Sequence, residues 1–300
     1  MGKIKTIARR TFLVGSAAVV GGVAFGYWKF TTPYDNPLTN DGASALTPYV
    51  KIDQNGVTII APRAEMGQGV HTTLAALVAE ELDVKFEDIN VEHGPASPAY
   101  FNEAAMTDGL PFLSTDRSWV AETARKATAI PAKFLGMQVT GGSSTTPDGF
   151  DKMRRAGAAA RLTLIEVAAQ KLGVDGADLK TEDGSVSTLD GTRHSYESLA
   201  EAAAKIDPPA DPPLKPQSEW RYLGKSMPRV DILAKSTGTA EYSIDVRLPN
   251  MVYATVKMNP RLGGEMSGFD DSAAKAMRGY VKTIDMGNGC LLYTSPSPRD

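Results

Sequence analysis

Along the first half of the chain the spacing of apolar residues changes character at short intervals, and each change predicts an element. Apolar and polar positions alternate over 49–53 and 57–60 around Gln54-Asn55-Gly56, a strong hairpin signal, so two antiparallel strands open the domain. From Val70 the period lengthens to that of a helix: Val70, Leu74, Leu77, Val78 and Leu82 share one face, which leaves Glu80 and Glu81 on the solvated side. This helix starts directly after Gly67-Gln68-Gly69. Alternation returns over 89–93 and predicts a strand ending in a turn at Pro95 and Pro98. The stretch 99–117 has little period and reads as a loop, and 120–135 reads as a helix that Pro131 kinks or breaks. A glycine and hydroxyl loop over 139–148 then feeds a long helix, 150–172, whose Ala156, Gly157 and Ala160 form a face for close packing and which Gly173 stops.

The second half is more punctuated. Residues 179–206 read as a short hairpin, then a helix capped by Ser195 with Tyr196, Leu199, Ala200, Ala203 and Ile206 inside. Asp207-Pro208-Pro209-Ala210-Asp211-Pro212-Pro213 suits neither helix nor central strand. Beyond it, 221–225, 240–246 and 251–258 are strand-like and 272–277 helix-like. The pattern predicts an α+β chain: a linker over 31–47, a first domain over 48–206, a Pro-rich linker over 207–218 and a second domain over 219–289.

Both ends fall outside this pattern. Residues 1–30 combine Lys3, Lys5, Arg9 and Arg10 with a small, apolar run of about 15 residues, the form of an export signal rather than a full membrane span. Arg9-Arg10 before Phe12-Leu13 resembles a twin-arginine signal, with Ala8 where Ser or Thr is usual. No clean Ala-x-Ala site separates Gly22 from Lys29, which keeps an uncleaved inner-membrane anchor with Trp28 at the interface as the alternative. Periplasmic localisation is the expectation. At the other end, residues 290–300 have no periodicity and match an in-frame translation of a transposase sequencing adaptor, so the natural part of this sequence is expected to stop near Gly289 in mid-domain.

Composition narrows the function classes. With 42% apolar and 22% charged residues in 300, the chain can bury a sizeable core, and collagen-like or multi-span membrane readings are excluded. The net charge is −3, and the five charges of the first thirty residues are all basic, so the remainder carries −8 and nucleic acid is not an expected partner. Cys290 is the single cysteine, which removes disulfide frameworks, zinc clusters and cysteine-held iron–sulfur centres from this chain. Any redox cofactor must be held in another way.

Two loops offer such a hold. In Glu65-Met66-Gly67-Gln68-Gly69-Val70-His71 the backbone N–H groups of Gln68 to His71 should lie free at the positive end of a helix dipole. Glycines there permit close approach to the backbone, and the Gln68 amide can donate and accept. Thr140-Gly141-Gly142-Ser143-Ser144 repeats the design before the next helix, with Arg154 and Arg155 further along it. Either loop alone is more often a tight turn than a site; two of them, on a chain without a metal-ligand cluster, make a more specific pattern. His71 could line the first loop or be a solvated first-turn residue, while His93, His194 and the pairs Glu80-Glu81 and Asp270-Asp271 read as surface groups. No Gly-x-Ser-x-Gly elbow, Walker loop or Rossmann fingerprint is present.

The stretch 65–84, Val139-Thr140-Gly141-Gly142-Ser143-Ser144 and the run 154–161 resemble the molybdenum-binding large subunit of the xanthine oxidase family, in the branch of the isoquinoline 1-oxidoreductase beta subunit and related aldehyde dehydrogenases. Residues 229–253 resemble the start of that family's α/β-hammerhead domain. The resemblance implies an incomplete molybdopterin-binding domain followed by a truncated hammerhead. It implies that molybdenum is held by the dithiolene of a molybdopterin cytosine dinucleotide, with Gln68 hydrogen-bonded to a ligand of the metal and Gly67, Gly69, Val70, His71, Gly141, Gly142, Ser143 and Ser144 around the cofactor. The implied reaction is oxidation of an aldehyde or N-heterocycle with water as oxygen source. The family's glutamate base is expected beyond residue 289, so this fragment alone is expected to be inactive. The implied partners are a small [2Fe–2S] subunit that carries the clusters, a downstream acceptor such as a cytochrome, and a small-molecule substrate. From other classes, an exported non-enzymatic α+β binding or scaffold protein, or an inactive short paralogue, stand as alternatives.

Overall fold

The computed structural model describes Gly22, Gly26 and residues 32–39, 42, 44–107, 109–113, 115–261, 263–287 and 289–294, the last as backbone only. Most of the export-signal reading of residues 1–30 therefore lies outside the described residues. No helix among the described residues is long and apolar enough to cross a membrane. The chain divides into two compact units, with the boundary between Leu233 and Ala234.

In the first unit the hairpin forms as the pattern predicts. Strand β1 (Ser44–Thr47) pairs antiparallel with β2 (Val50–Asp53), and β2 with β3 (Gly56–Ile60) around Gln54-Asn55. The segment 31–47, expected as a linker, thus supplies an edge strand, and before it Leu38 is fully buried beside Ile60 and Tyr100. Helix α1 (Val70–Leu82) then crosses to β4 (Asn90–Glu92), which pairs parallel with β3, giving a four-stranded sheet in the order β1-β2-β3-β4. This β3–α1–β4 crossover places the loop 61–69 at the carboxyl end of β3, where open sheets leave a crevice.

Helix α2 (Trp119–Leu135) continues through Pro131 to a left-handed cap at Gly136. Helix α3 (Thr145–Leu172) starts five residues earlier than its apolar pattern, because Pro147 falls in the first turn, where the missing N–H has no intrahelical partner to lose. Gly173 ends it in the left-handed region as expected. The small face of α3 meets α1 so closely that a Cβ on Gly157 would stand 2.6 Å from the Val78 carbonyl oxygen. Strands β5 (Lys180–Glu182), β6 (Ser185–Ser187) and β7 (Arg193–Ser195) make a second, antiparallel sheet, and α4 (Tyr196–Ala203) buries Tyr196, Leu199, Ala200 and Ala203. Ser195 holds the N-cap position of α4, but its side chain makes no capping bond.

The largest departure from the sequence pattern concerns α1. Glu80 and Glu81 are fully buried rather than solvated. The chain after the Pro-rich stretch passes over them: Glu80 accepts the N–H groups of Arg221 (2.7 Å), Tyr222 (2.7 Å) and Leu223 (3.1 Å). Glu81 accepts from Arg154 Nε at 2.8 Å and from the Lys215 N–H at 3.0 Å. Carboxylates at a helix carboxyl end oppose the dipole; here Arg154 offsets Glu81, and Arg161 and Lys215 pair with Asp83 at the end of the helix. The strand expected over 221–225 is a series of turns for the same reason, since its donors go to Glu80 instead of a ladder. Residues 207–233 belong with the first unit, although the sequence pattern starts a new domain near residue 219.

The second unit is a three-stranded antiparallel sheet, in which β8 (Tyr253–Met258) and β9 (Tyr280–Asp285) flank β10 (Gly289–Thr294), with the short helix α5 (Ser272–Lys275) before β9. The central strand is thus the start of the stretch read as adaptor translation. The strand expected over 240–246 is a turn closed by the Asp245 N–H on the Tyr242 carbonyl at 2.8 Å.

Candidate functional site

After β3 the chain turns inward once and then outward. Arg63 is buried, and its guanidinium donates to the Tyr100 carbonyl at 2.8 Å and to Asp148 Oδ2 at 2.6 Å, which ties the base of the first glycine loop to the first turn of α3. Past Arg63 the loop emerges into solvent. Gly67 (φ 99°) and Gly69 (φ 84°) both hold left-handed backbone, the condition for a tight reversal into α1.

The helix start is not free, as the sequence pattern had implied. Glu65 Oε1 accepts the N–H groups of Gly67 at 2.8 Å and Gly69 at 3.0 Å, and Oε2 accepts that of His71 at 3.2 Å. A carboxylate of the same loop therefore takes two of the donors that an anionic ligand was expected to use, those of Gly69 and His71, and the Gly67 N–H besides. Partial burial raises the Glu65 pKa, but the N–H groups of Gly69, His71 and Gly67 outweigh it and hold the acid below its ordinary value.

Gln68 is exposed at the tip. Its Oε1 accepts the Met66 N–H at 2.5 Å and its Nε2 donates to the Ala64 carbonyl at 2.8 Å. These two bonds fix the amide plane, and an amide nitrogen carries two hydrogens, so one remains for an acceptor beyond the loop. Val70 is buried in the core and its side chain faces away from any ligand at the tip. His71 Nε2 lies 3.0 Å from the Arg63 carbonyl, so its ring braces the loop base.

The second glycine loop stands beside the first. The Ala64 N–H donates to Thr140 Oγ1 at 2.9 Å, which joins the two loops directly. Gly142 (φ 57°) and Ser143 (φ 52°) are left-handed, and Gly141, Gly142 and Ser143 are exposed. Ser144 is buried: its hydroxyl donates to the Gly141 carbonyl at 2.6 Å and accepts from Asn102 Nδ2 at 2.8 Å. Fully buried Asn102 also donates to the Val139 carbonyl at 2.9 Å, so both ends of this loop hang on one side chain. A groove of about 1100 Å³ opens next to it, lined among others by Glu103, Phe112, Arg125, Ser143, Ser144 and Phe150.

Arg154 and Arg155 do not serve the loop: the first is buried on Glu81 and the second pairs with Asp211. His93 is exposed, with its ring centroid 6.1 Å from that of His71. Among the described residues no three His, Cys, Asp or Glu side chains gather where they could hold a metal ion. The site thus offers amide, hydroxyl and backbone donors on two adjoining loops, a set that binds oxygen-rich groups.

Comparison with known proteins gives these donors a context. Residues 8–105 match the family described as the molybdopterin cofactor-binding domain. The membrane-bound aldehyde dehydrogenase (pyrroloquinoline-quinone) of Gluconacetobacter polyoxogenes is 31% identical over 93% of this chain and 33% of its own length. The beta subunit of isoquinoline 1-oxidoreductase from Brevundimonas diminuta is 29% identical over 94% of this chain and 37% of its own. The family match and these relatives support a molybdenum-binding subunit of the xanthine oxidase family. A further relative, a nicotinate dehydrogenase subunit of Pseudomonas putida, is 28% identical over 84% of this chain and 20% of its own. The chain spans between a fifth and just over a third of the length of the curated relatives it matches. Among solved structures, the CO dehydrogenase of Oligotropha carboxidovorans aligns over 55% of this chain and 16% of its own at 22% identity, with a TM-score of 0.33, too low to add to the sequence relatives.

The residues on the two loops fit molybdopterin. Such a group carries its metal on its own sulfurs, so it needs hydrogen-bond donors from the protein rather than a ligand cluster, and donors of that kind are exposed at Gln68, Gly141, Gly142 and Ser143. Sequence reasoning did not single out Arg63, Asn102, Asp148 and Arg229, which shape the loops, and treated Glu65 and Thr140 only as parts of motifs. An acid two residues before the first glycine of a helix-capping loop was the available signal for Glu65. The others act across long sequence separations.

Proposed function

We propose that this chain forms part of the cofactor-binding surface of a molybdenum hydroxylase large subunit, which oxidises an aldehyde or an N-heterocycle with water as oxygen source. The observation that supports it best is the joining of two glycine loops through Ala64 and Thr140, with Gln68 exposed at their edge and one amide hydrogen to give. Gln68 would donate that hydrogen to an oxygen ligand of the metal. Gly67 and Gly69 keep side chains out of its way, and Gly141, Gly142 and Ser143 would contact the pterin through backbone and hydroxyl. Val70 would act through its backbone, and His71 and Ser144 by bracing the loops, because their side chains are engaged inside the fold and their N–H groups are taken by Glu65 and by the Gly141 carbonyl. When bound, the cofactor supplies the two-electron redox centre.

The same reading extends to the cytosine dinucleotide form of the cofactor, to a small partner subunit carrying [2Fe–2S] clusters, to a cytochrome-type acceptor, and to a hammerhead domain starting in 219–289. The basic and apolar pattern of residues 1–30 supports export to the periplasm, with or without retention as an anchor. The glutamate base would come from sequence beyond residue 289.

Two measurements test the reading. A genomic read across codon 289 that avoids adaptor ligation is expected to show the frame continuing. Elemental and nucleotide analysis of that complete protein is expected to find one molybdenum per chain, with CMP released on acid hydrolysis. A metal-free protein carrying a quinone, as the name of the aldehyde dehydrogenase relative suggests for that enzyme, would overturn it.

A further inference from the structure

The Gly67-Gln68-Gly69 tip is gripped from both sides by residues that the cofactor reading does not use. On one side Glu65 holds the N–H groups of Gly67, Gly69 and His71. On the other, Arg229, 164 positions later in the chain, donates Nη1 to the Gly67 carbonyl at 2.9 Å and Nη2 to Glu65 Oε1 at 3.1 Å. The backbone carrying Arg229 is itself anchored, since the Val230 N–H donates to Thr72 Oγ1 in the first turn of α1 at 3.0 Å. Arg229 Nε lies 3.4 Å from Asp231 Oδ1, which helps to orient the guanidinium.

Two glycines in left-handed backbone leave the tip many conformations, and only a few of them present the Gln68 amide in one direction. Glu65 by itself ties down N–H groups and leaves the Gly67 carbonyl free to turn. Arg229 binds that carbonyl and the carboxylate together, and a planar guanidinium does this with a fixed geometry that an ammonium lacks. We propose that Arg229 is a positioning residue: through Glu65 and the Gly67 carbonyl it sets the direction of the Gln68 amide toward the cofactor. This rests on the reading that Gln68 touches the cofactor. Arg229 is partly exposed, with 34% of its side chain accessible against 9% for Glu65, so removing the arginine should act chiefly on the tip.

The test compares Arg229→Ala, Arg229→Lys and Gln68→Ala in the complete, cofactor-loaded protein. Amide hydrogen exchange of 64–72 is expected to rise about tenfold or more in Arg229→Ala, as expected when a 1.4 kcal/mol restraint is removed. Exchange of β3 should stay unchanged, and Arg229→Lys should recover only part of the protection. The electron paramagnetic resonance signal of the reduced metal should shift in both Arg229→Ala and Gln68→Ala. Wild-type exchange over 64–72 in Arg229→Ala would overturn the clamp. Faster exchange with an unshifted signal, while Gln68→Ala does shift it, would overturn the positioning role. A signal unmoved by Gln68→Ala would overturn the functional reading itself, and the cofactor side of this proposal with it.

Discussion

The two glycine loops look alike in sequence and are built on opposite principles. In the first, a charged residue inside the loop, Glu65, gathers the backbone donors, and the exposed tip presents a side chain, Gln68. In the second, a neutral residue outside the loop, Asn102, holds the two ends, and the exposed tip presents backbone and the Ser143 hydroxyl. A carboxylate closes its loop by charge-assisted bonds, so that loop depends on pH and on its cation. An amide closes its loop through neutral bonds in a fully buried setting, where desolvation makes each bond costly to lose. Glycine before a helix thus marks a place where the backbone turns tightly, and the surrounding side chains decide what the turn can bind.

The strongest way to break the comparison is to remove what the loops share. Asp148→Ala leaves the buried Arg63 guanidinium without its counter-charge and also takes the acceptor from the Glu103 N–H and from Lys152. Chemical denaturation should show a loss of about 3–5 kcal/mol, with both loops disordered together. A smaller, selective effect is expected from Asn102→Ala, which strips donors from the Val139 carbonyl and the Ser144 hydroxyl. Destabilisation of about 1–3 kcal/mol is expected, with faster amide exchange over 139–144 and little change over 64–72. Equal loosening of both loops would show that the contrast drawn above is wrong.

Acid should have the converse selectivity and no effect at neutral pH. Because the Glu65 carboxyl is held below its ordinary value of 4.5, its contribution is complete above that pH and fades as pH falls through the lower folded value. The amide resonances of Gly67, Gly69 and His71 should therefore be constant from pH 7 to about 4.5 and move together below it. Those of 141–143 should not follow, and Glu65→Gln should abolish the movement. Titration of the three amides at or above the ordinary glutamate value would contradict the internal-cap geometry.

Much of this was legible in one dimension. The hairpin, the helix after Gly69, the glycine-faced helix and its Gly173 stop follow from periodicity and turn chemistry, which operate over a few residues. The two loops were legible as candidates for the same reason. What was not legible is where polar groups find partners. Glu80 and Glu81 read as a solvated pair because nothing within a helical turn can satisfy them, yet residues 215–223 fold over them and bring their own unpaired N–H groups. The same displacement erased the strand expected over 221–225 and kept 207–233 with the first unit.

The second unit marks the limit from another side. Its strands β8 and β9 follow local propensity, but no described side chain in 234–287 is buried, whereas the first unit encloses Ile52, Ile59, Leu74, Leu77, Leu82 and Leu164 almost completely. By itself, then, the sequence determined the local elements, the family resemblance and the loop carrying Gln68, because each depends on neighbours in the chain or on a contiguous string of residues. Only the tertiary structure decided that the glycine loops adjoin through Ala64 and Thr140, that Glu65 caps its own helix, and that Arg229 reaches back to hold it. Those are pairings of charge and hydrogen-bond capacity across long separations, and a buried polar group takes whichever partner the packed fold brings within about 3 Å.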